Sequence, residues 1–117
     1  MRAQRHHTGI AAEEAAARRY AAEGGRVRAA RWRCPEGELD LVVELPGEIV
    51  FVEVKERARE GYGGPVGAVD REKRRRVRRA AASWLQAHRE TAELEIGFEV
   101  AAITDGRLER LDLVSGE

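Results

Sequence analysis

Cysteine, lysine and long apolar runs are scarce in this chain of 117 residues, and each scarcity excludes a class of protein. The one cysteine, Cys34, excludes an internal disulfide and a metal site built from cysteines. The sequence has no apolar run of about 18 residues, and residues 1–7 lack the hydrophobic segment of a secretory signal. We therefore expect a cytoplasmic protein.

An overall basic charge is also absent, because 21 basic and 21 acidic residues cancel. A nucleic-acid partner would therefore have to bind to a local basic patch. Almost all of the basic residues are arginine, and Lys55 and Lys73 are the only lysines. A lysine in an arginine-dominated chain suggests chemistry that arginine cannot supply.

Two helices are predicted within a single domain that spans residues 1–117. The first is alanine-rich, covers about 8–23 and ends at Gly24-Gly25, and residues 1–7 before it are expected to be disordered. The second runs from Asp70, a suitable N-cap, to about Arg89. Its apolar positions recur at helical spacing, so it should pack one face against the core.

Five strands are predicted from alternating apolar residues, at 26–34, 38–45, 48–55, 96–104 and 107–114. A glycine-rich connection at 56–69 is longer than most loops, and such loops are often functional. The resulting order, α-β-β-β-α-β-β, suits an α/β fold in which a mixed sheet carries one helix on each face.

The second and third strands flank Pro46-Gly47, a pair that favours a tight turn. A two-residue turn there places Asp40 directly opposite Glu53, on the same face of the sheet. The same register places Glu38 opposite Lys55, and Leu39, Leu41 and the other alternate residues form an apolar face behind them. A three-residue loop would instead shift the register by one and separate Asp40 from Glu53.

Two carboxylates that lie directly opposite each other repel, so the pair Asp40 and Glu53 favours a nearby cation. Mg²⁺ selects such hard oxygen ligands. The alternative is a set of solvated salt bridges, one of them between Glu38 and Lys55, and the spacing leaves both interpretations open. Glu13 adds a carboxylate on the inward face of the first helix, or else it is a first-turn acid that the helix dipole favours.

Between Arg71 and Arg79 every residue except Glu72 and Val77 is basic. Lys73 and Arg74 lie at the N-terminal end of the inward face of this helix. Together with nearby arginines they could hold phosphates beside the acidic residues; these arginines are Arg33, Arg57 and Arg59. The alternative for Arg75, Arg76 and Arg79 is a solvated helix surface.

A set of motifs in this order resembles the YraN family of uncharacterised bacterial proteins. It comprises G-E-L-D-L-V at 37–42, F-V-E-V-K at 51–55, Arg57, W-R-C at 32–34, G-x-x-A-E-x-x-A from Gly9, Gly64-Pro65 and A-V-x-x-x-K ending at Lys73. That family resembles the PD-(D/E)XK nucleases, and Holliday-junction resolvases in particular. The resemblance implies a restriction-endonuclease-like fold and covers Gly9 to about Leu85.

The resemblance also implies a site for Mg²⁺ or Mn²⁺, held by Asp40, Glu53 and the backbone carbonyl of Val54. In it Lys55 orients or stabilises the attacking hydroxide, and Glu13 completes the acidic cluster. Resolvase-like relatives act as dimers, so a homodimer is an expectation too. Three positions depart from the family pattern: Arg31 stands where an Asn is usual, Gly97 stands where an Arg is usual, and Glu99 replaces an Asp.

Three functions follow as hypotheses. The first is a metal-dependent endonuclease that hydrolyses phosphodiester bonds in nucleic acid, with DNA as the expected substrate. The second is a nucleic-acid-binding module on a nuclease fold, with little or no cleavage. The third is a protein that does not act on nucleic acid and binds a metal structurally. The complete set of Asp40, Glu53 and Lys55 favours the first, and the basic helix disfavours the third.

Overall fold

The structure is a computed structural model that describes residues 2–57 and 71–113, with the side chains of 9–56 and 71–113. The helices are α1 (Arg2–Ala22) and α2 (Arg71–Ala87), and the strands are β1 (Arg26–Cys34), β2 (Gly37–Leu45), β3 (Glu48–Arg57), β4 (Glu95–Thr104) and β5 (Arg107–Asp112). A short 3-10 helix at Arg89–Thr91 joins α2 to β4. The predicted α/β order is confirmed.

Helix α1 begins at Arg2, well before the predicted start, so the backbone of residues 2–7 is helical where disorder was expected. Alanine, arginine and glutamine favour helices, and the prediction gave this too little weight. The predicted stop is confirmed: Gly24 has a left-handed φ of 90°, and the Gly25 N–H donates to the carbonyl of Tyr20 at 2.9 Å. Asp70, the predicted N-cap of α2, lies outside the described residues.

The five strands form one mixed sheet in the order β1-β2-β3-β4-β5. Strands β3 and β4 are parallel, and the other neighbouring pairs are antiparallel. A parallel pair needs a long crossover, and α2 lies in the chain between β3 and β4. Helix α2 packs on one face of the sheet, and α1 packs on the other.

Each face of the sheet packs against one helix, as the sequence predicted. On the α2 face, Phe51 meets Trp84 edge to face, with ring centroids 5.9 Å apart. On the α1 face, Tyr20 is fully buried against the apolar side chains of β2 and β3. Because both faces are covered, polar groups between the layers are short of water and depend on partners within the protein.

One apolar residue of β2, Leu39, lies on the opposite face of the sheet from the one predicted. Leu41 packs on the α1 face, but Leu39, two residues away, packs with the α2 cluster. Simple alternation would have put both on the same face. The alternation of β2 therefore breaks at Asp40, which lies between them. Within the part of the chain that the structure describes, no helix is long and apolar enough to cross a membrane.

Candidate metal centre

The hairpin of β2 and β3 has the predicted two-residue turn, in which Gly47 adopts a left-handed φ of 76°. Pairing runs from Leu45 opposite Glu48 to Leu41 opposite Val52. The next step of this register is Asp40 opposite Glu53. From there β2 continues beside β1, and β3 continues beside β4. The two acids therefore stand where two neighbouring strands separate.

Where the two strands separate, the side chain of Asp40 accepts a backbone hydrogen bond from β3. The N–H of Val54, on β3, donates to Asp40 Oδ2 at 2.8 Å. The side chain thus satisfies a backbone donor between the layers of the fold. Burial raises the pKa of Asp40 from 3.8 to about 8, and the charge of Glu53 adds to the rise, while the hydrogen bond from Val54 opposes it.

Glu53 is 8% exposed and forms an ion pair with Lys73 of α2. The distance from Lys73 Nζ to Glu53 Oε2 is 2.8 Å. Burial lowers the pKa of Lys73, but the charge and hydrogen bond of Glu53 and the charge of Asp40 outweigh it, so the pKa is raised overall. Lys73, predicted as a phosphate contact, therefore lies beside the two acids.

Glu13 approaches the same point from α1. It is 9% exposed, and its charge helps to raise the pKa of Asp40. Its Oε1 lies 2.9 Å from a guanidinium nitrogen of Arg31. Arg31 has a left-handed φ of 50°, which arginine seldom adopts and asparagine tolerates well. Asn is the residue that the family pattern has at this position.

Lys55 lies on β3 opposite Ala102 of β4 and is half-buried. Among the described residues, no ion pair or hydrogen bond to its ammonium group is present. The predicted partner across the hairpin was wrong: Glu38 lies opposite Arg33 of β1, and the two form an ion pair at 3.9 Å. The reason is that β2 and β3 have already separated at this level.

The oxygen donors suit a cation that keeps several water ligands, and not one that is coordinated by protein groups alone. Within the described residues, no three or more His, Cys, Asp or Glu side chains are grouped so that they could hold a metal ion. Mg²⁺ commonly needs only one or two carboxylates and keeps several waters. Asp40 and Glu53, with the carbonyl of Val54, fit that requirement. Glu13 is near, and one of its carboxylate oxygens is paired with Arg31.

The sequence profile of the uncharacterised protein family UPF0102 matches residues 12–115. The chain belongs to UPF0102. A UPF0102 protein of Gloeobacter violaceus is 45% identical over 104 residues, which cover 86% of this chain and 80% of the relative. Another, of Nitrobacter winogradskyi, is 39% identical over 110 residues, which cover 94% and 92%. A third, of Frankia casuarinae, is 44% identical over 92 residues, which cover 79% and 77%.

Membership of an uncharacterised family agrees with the expectation from the motifs. The names of these UPF0102 relatives state no activity. The likeness to nucleases therefore stays a prediction, and its support comes from the residues of the chain itself.

The predicted phosphate contacts of this UPF0102 chain lie on more than one element. Arg33 is highly exposed on β1, and Arg74 is half-buried on α2. The side chain of Arg57, together with Arg59 and the Gly64-Pro65 motif, lies outside the described residues. A second set of cations is exposed along α2, and it consists of Arg71, Arg75, Arg76 and Arg79.

The sequence interpretation missed the contact of Lys73 with Glu53, although it placed Lys73 beside the acids, and it missed Arg31 altogether. The role of Lys73 beside Glu53 could have been inferred from the scarcity of lysine, which had already drawn attention to it. Arg31 had a weaker signal, since it only stood out as a departure from the family pattern. At another departure from the pattern, Glu99 accepts hydrogen bonds from Tyr20 at 2.7 Å and from Arg110 at 2.9 Å.

Proposed function

We propose that this protein is a metal-dependent endonuclease that hydrolyses phosphodiester bonds in nucleic acid, with DNA as the expected substrate. The observation that carries the proposal is the pair Asp40 and Glu53 at the point where β2 and β3 separate. Burial and mutual repulsion raise the pKa of Asp40 to about 8. A pair that is so costly to ionise gains most from a divalent cation.

The proposed ligands of Mg²⁺ or Mn²⁺ are Asp40, Glu53 and the carbonyl of Val54. When bound, the ion would lower the pKa of a water and offset negative charge on the phosphodiester. Lys55 follows Glu53 by two residues on β3 and would orient or stabilise the attacking hydroxide. Lys55 is half-buried, and its ammonium has no ionic partner among the described residues, which supports that role. Glu13 would add negative charge that favours the cation.

Helix α2 supplies the adjoining basic surface. Its first residues bring Lys73 to Glu53, and exposed arginines follow on the same helix, among them Arg75 and Arg79. Arginine on an exposed helix is well suited to backbone phosphates, which fix the position of a nucleic acid without reading its sequence. This arrangement supports a nucleic-acid substrate over a purely structural metal site.

The experiment is an incubation of the protein with branched, flapped, duplex and single-stranded DNA, and with RNA, under Mg²⁺ or Mn²⁺. The wild type is expected to cut at least one of them, and Asp40→Asn and Glu53→Gln are expected to lose cleavage. Glu44→Gln is the matched control, because Glu44 is also on β2 but pairs with Arg28 at a distance from the site. A wild type that cuts none of these substrates with either metal would contradict the proposal.

A second function is favoured by the ion pair between Lys73 and Glu53. A permanent ammonium there would neutralise the acids without a metal, and the protein would then bind nucleic acid and cut little or nothing. The same experiment separates the two, since a pure binding module would retain its affinity for branched DNA with no cleavage under any metal.

A further inference from the structure

The Lys73 ammonium contacts one of the two carboxylates that the proposed metal ion needs. Its Nζ lies 2.8 Å from Glu53 Oε2, and its charge also acts favourably on ionised Asp40. The protein itself therefore supplies a cation that stabilises the negative charge of this acidic pair. That cation belongs to the first turn of α2.

A divalent ion and this ammonium compete for the same oxygens. Mg²⁺ binds carboxylate oxygens at about 2.0–2.1 Å. If the ammonium stayed at Glu53, the two cations would be a few ångströms apart and would repel strongly in these partly dry surroundings. This repulsion favours the withdrawal of one of them.

Of the partners in this ion pair, Lys73 is the one that can move. Glu53 is 8% exposed and lies on an interior strand of the sheet. The Lys73 side chain is 46% exposed and belongs to the first turn of α2. A lysine has a flexible stem and a strongly hydrated head, so water can receive it at small cost.

We propose that Lys73 is an internal cation that neutralises the Asp40–Glu53 pair in the metal-free protein and leaves Glu53 when a divalent ion binds. This inference rests on the proposed function and names how its site is regulated. The two lysines then have separate roles: Lys73 holds the acids together before the metal arrives, and Lys55 serves the reaction.

The test is a calorimetric titration with Mn²⁺ alone, without nucleic acid. Lys73→Met removes the competing charge and is expected to bind Mn²⁺ about tenfold more tightly than the wild type. Lys73→Arg keeps a cation and should stay within about threefold of the wild type. The matched control is Arg79→Met, which removes the same charge from an exposed position of the same helix and should also stay within about threefold, because solvent screens it.

Unchanged or weaker Mn²⁺ binding in Lys73→Met would overturn the proposal. An equal gain in Arg79→Met or in Lys73→Arg would overturn it as well, because the effect would then not depend on a cation at Glu53. Circular dichroism of each variant checks that it folds, which the exposure of both side chains favours.

A measurement on the unmutated protein gives an independent answer. The chain has only two lysines, so an NMR spectrum of protein labelled with ¹³C-lysine contains two lysine signals, and the variant Lys55→Arg assigns them. Addition of Mg²⁺ is expected to move the Lys73 signal towards that of a free, hydrated lysine. A Lys73 signal that does not move at saturating Mg²⁺ would overturn the proposal even if the variants behaved as expected.

The failure of this inference can be told apart from failure of the proposed function. If the wild type binds Mn²⁺ and cuts DNA but Lys73→Met has unchanged affinity, only the inference falls. If neither the wild type nor Lys73→Met binds Mn²⁺, both fall.

Discussion

Two regions of this molecule place carboxylates between the layers of the fold, and they are neutralised to different degrees. At Glu99, on β4, one carboxylate accepts a hydrogen bond from Tyr20 and two from Arg110, at 2.7, 2.9 and 3.0 Å. The guanidinium of Arg110 also lies over the Tyr20 ring, 4.6 Å from its centroid, and contacts Glu23. Burial and Glu99 raise the pKa of Tyr20, so its hydroxyl remains a donor.

At the candidate metal centre, the carboxylates have fewer cationic partners among the described residues. Asp40 and Glu53 lie together there, and Glu13 is close enough for its charge to act on Asp40. Among the described residues, Lys73 pairs with Glu53 and its charge acts on Asp40, and Arg31 pairs with Glu13. The pKa of Asp40 rises to about 8, because burial and neighbouring negative charge oppose its ionisation. Glu99 shows that this protein can surround a partly buried acid with hydrogen-bond donors. Among the described residues the neutralisation at Asp40 is weaker, which is consistent with the proposed cation site.

The largest expected effect is on cleavage. Asp40→Asn removes a metal-ligand charge and is expected to reduce the rate by at least about 100-fold, whereas affinity for nucleic acid should persist because the arginines supply it. Single-turnover cleavage and a binding titration measure the two quantities. Tyr20→Phe is the control from the Glu99 region and should lower stability without changing the rate; an equal fall in cleavage would erase the distinction between the regions.

The next effect is on folding stability at Glu99. Arg110→Met leaves Glu99 without its bidentate partner and is expected to lower the free energy of unfolding by about 2–3 kcal/mol, below the value for a fully buried pair because the site is partly exposed. Urea denaturation without metal measures it. Arg107→Met, an exposed arginine on the same strand, is the control. A decrease under about 0.5 kcal/mol would show that Arg110 does not neutralise Glu99 tightly.

A smaller effect is expected on binding. Replacing Arg57 and Arg74 by alanine should reduce the slope of log affinity against log salt by up to about 0.9 for each duplex phosphate that the protein no longer neutralises. Arg107→Ala, on the far strand β5, should leave the slope unchanged. Binding isotherms at several salt concentrations measure the slope. Weak, salt-independent affinity would mean that nucleic acid is the wrong partner.

The smallest expected effect is on the pH dependence of the metal-free protein. The folded-state pKa of Asp40 lies near 8, above its unfolded value of 3.8, so the folded state binds the extra proton between these values. Stability should therefore fall as pH rises, by at least about 1 kcal/mol between pH 5 and pH 7. The raised pKa of Lys73 acts only in alkaline solution, outside this window.

Asp40→Asn tests this sign directly. The amide oxygen can still accept the Val54 N–H, but it does not ionise, so the pH dependence should flatten and stability near neutral pH should rise. Thermal unfolding across the pH range measures both. A wild type whose stability rises steadily from pH 5 to pH 7 would show that Asp40 is ionised at little cost.

Much of the fold and the hairpin at its centre could be predicted from the sequence. Turn chemistry and alternation act over a few residues, so Pro46-Gly47 was enough to set the register that brings Asp40 towards Glu53. Asp40 and Glu53 were predicted for the same reason. Beyond the point of strand separation the local rule no longer applies, and the predicted pairing of Glu38 with Lys55 was wrong.

The sequence by itself determined the order of elements, the turn and the scarcity of lysine that marked Lys55 and Lys73. Only the tertiary structure decided that Lys73 contacts Glu53 and that Arg31 contacts Glu13. These contacts depend on how α1 and α2 lie against opposite faces of the sheet. Such placement results from the packing of whole apolar faces, such as Trp84 against Phe51. No pattern of neighbouring residues encodes it, because side chains distant in sequence meet only after both layers have formed.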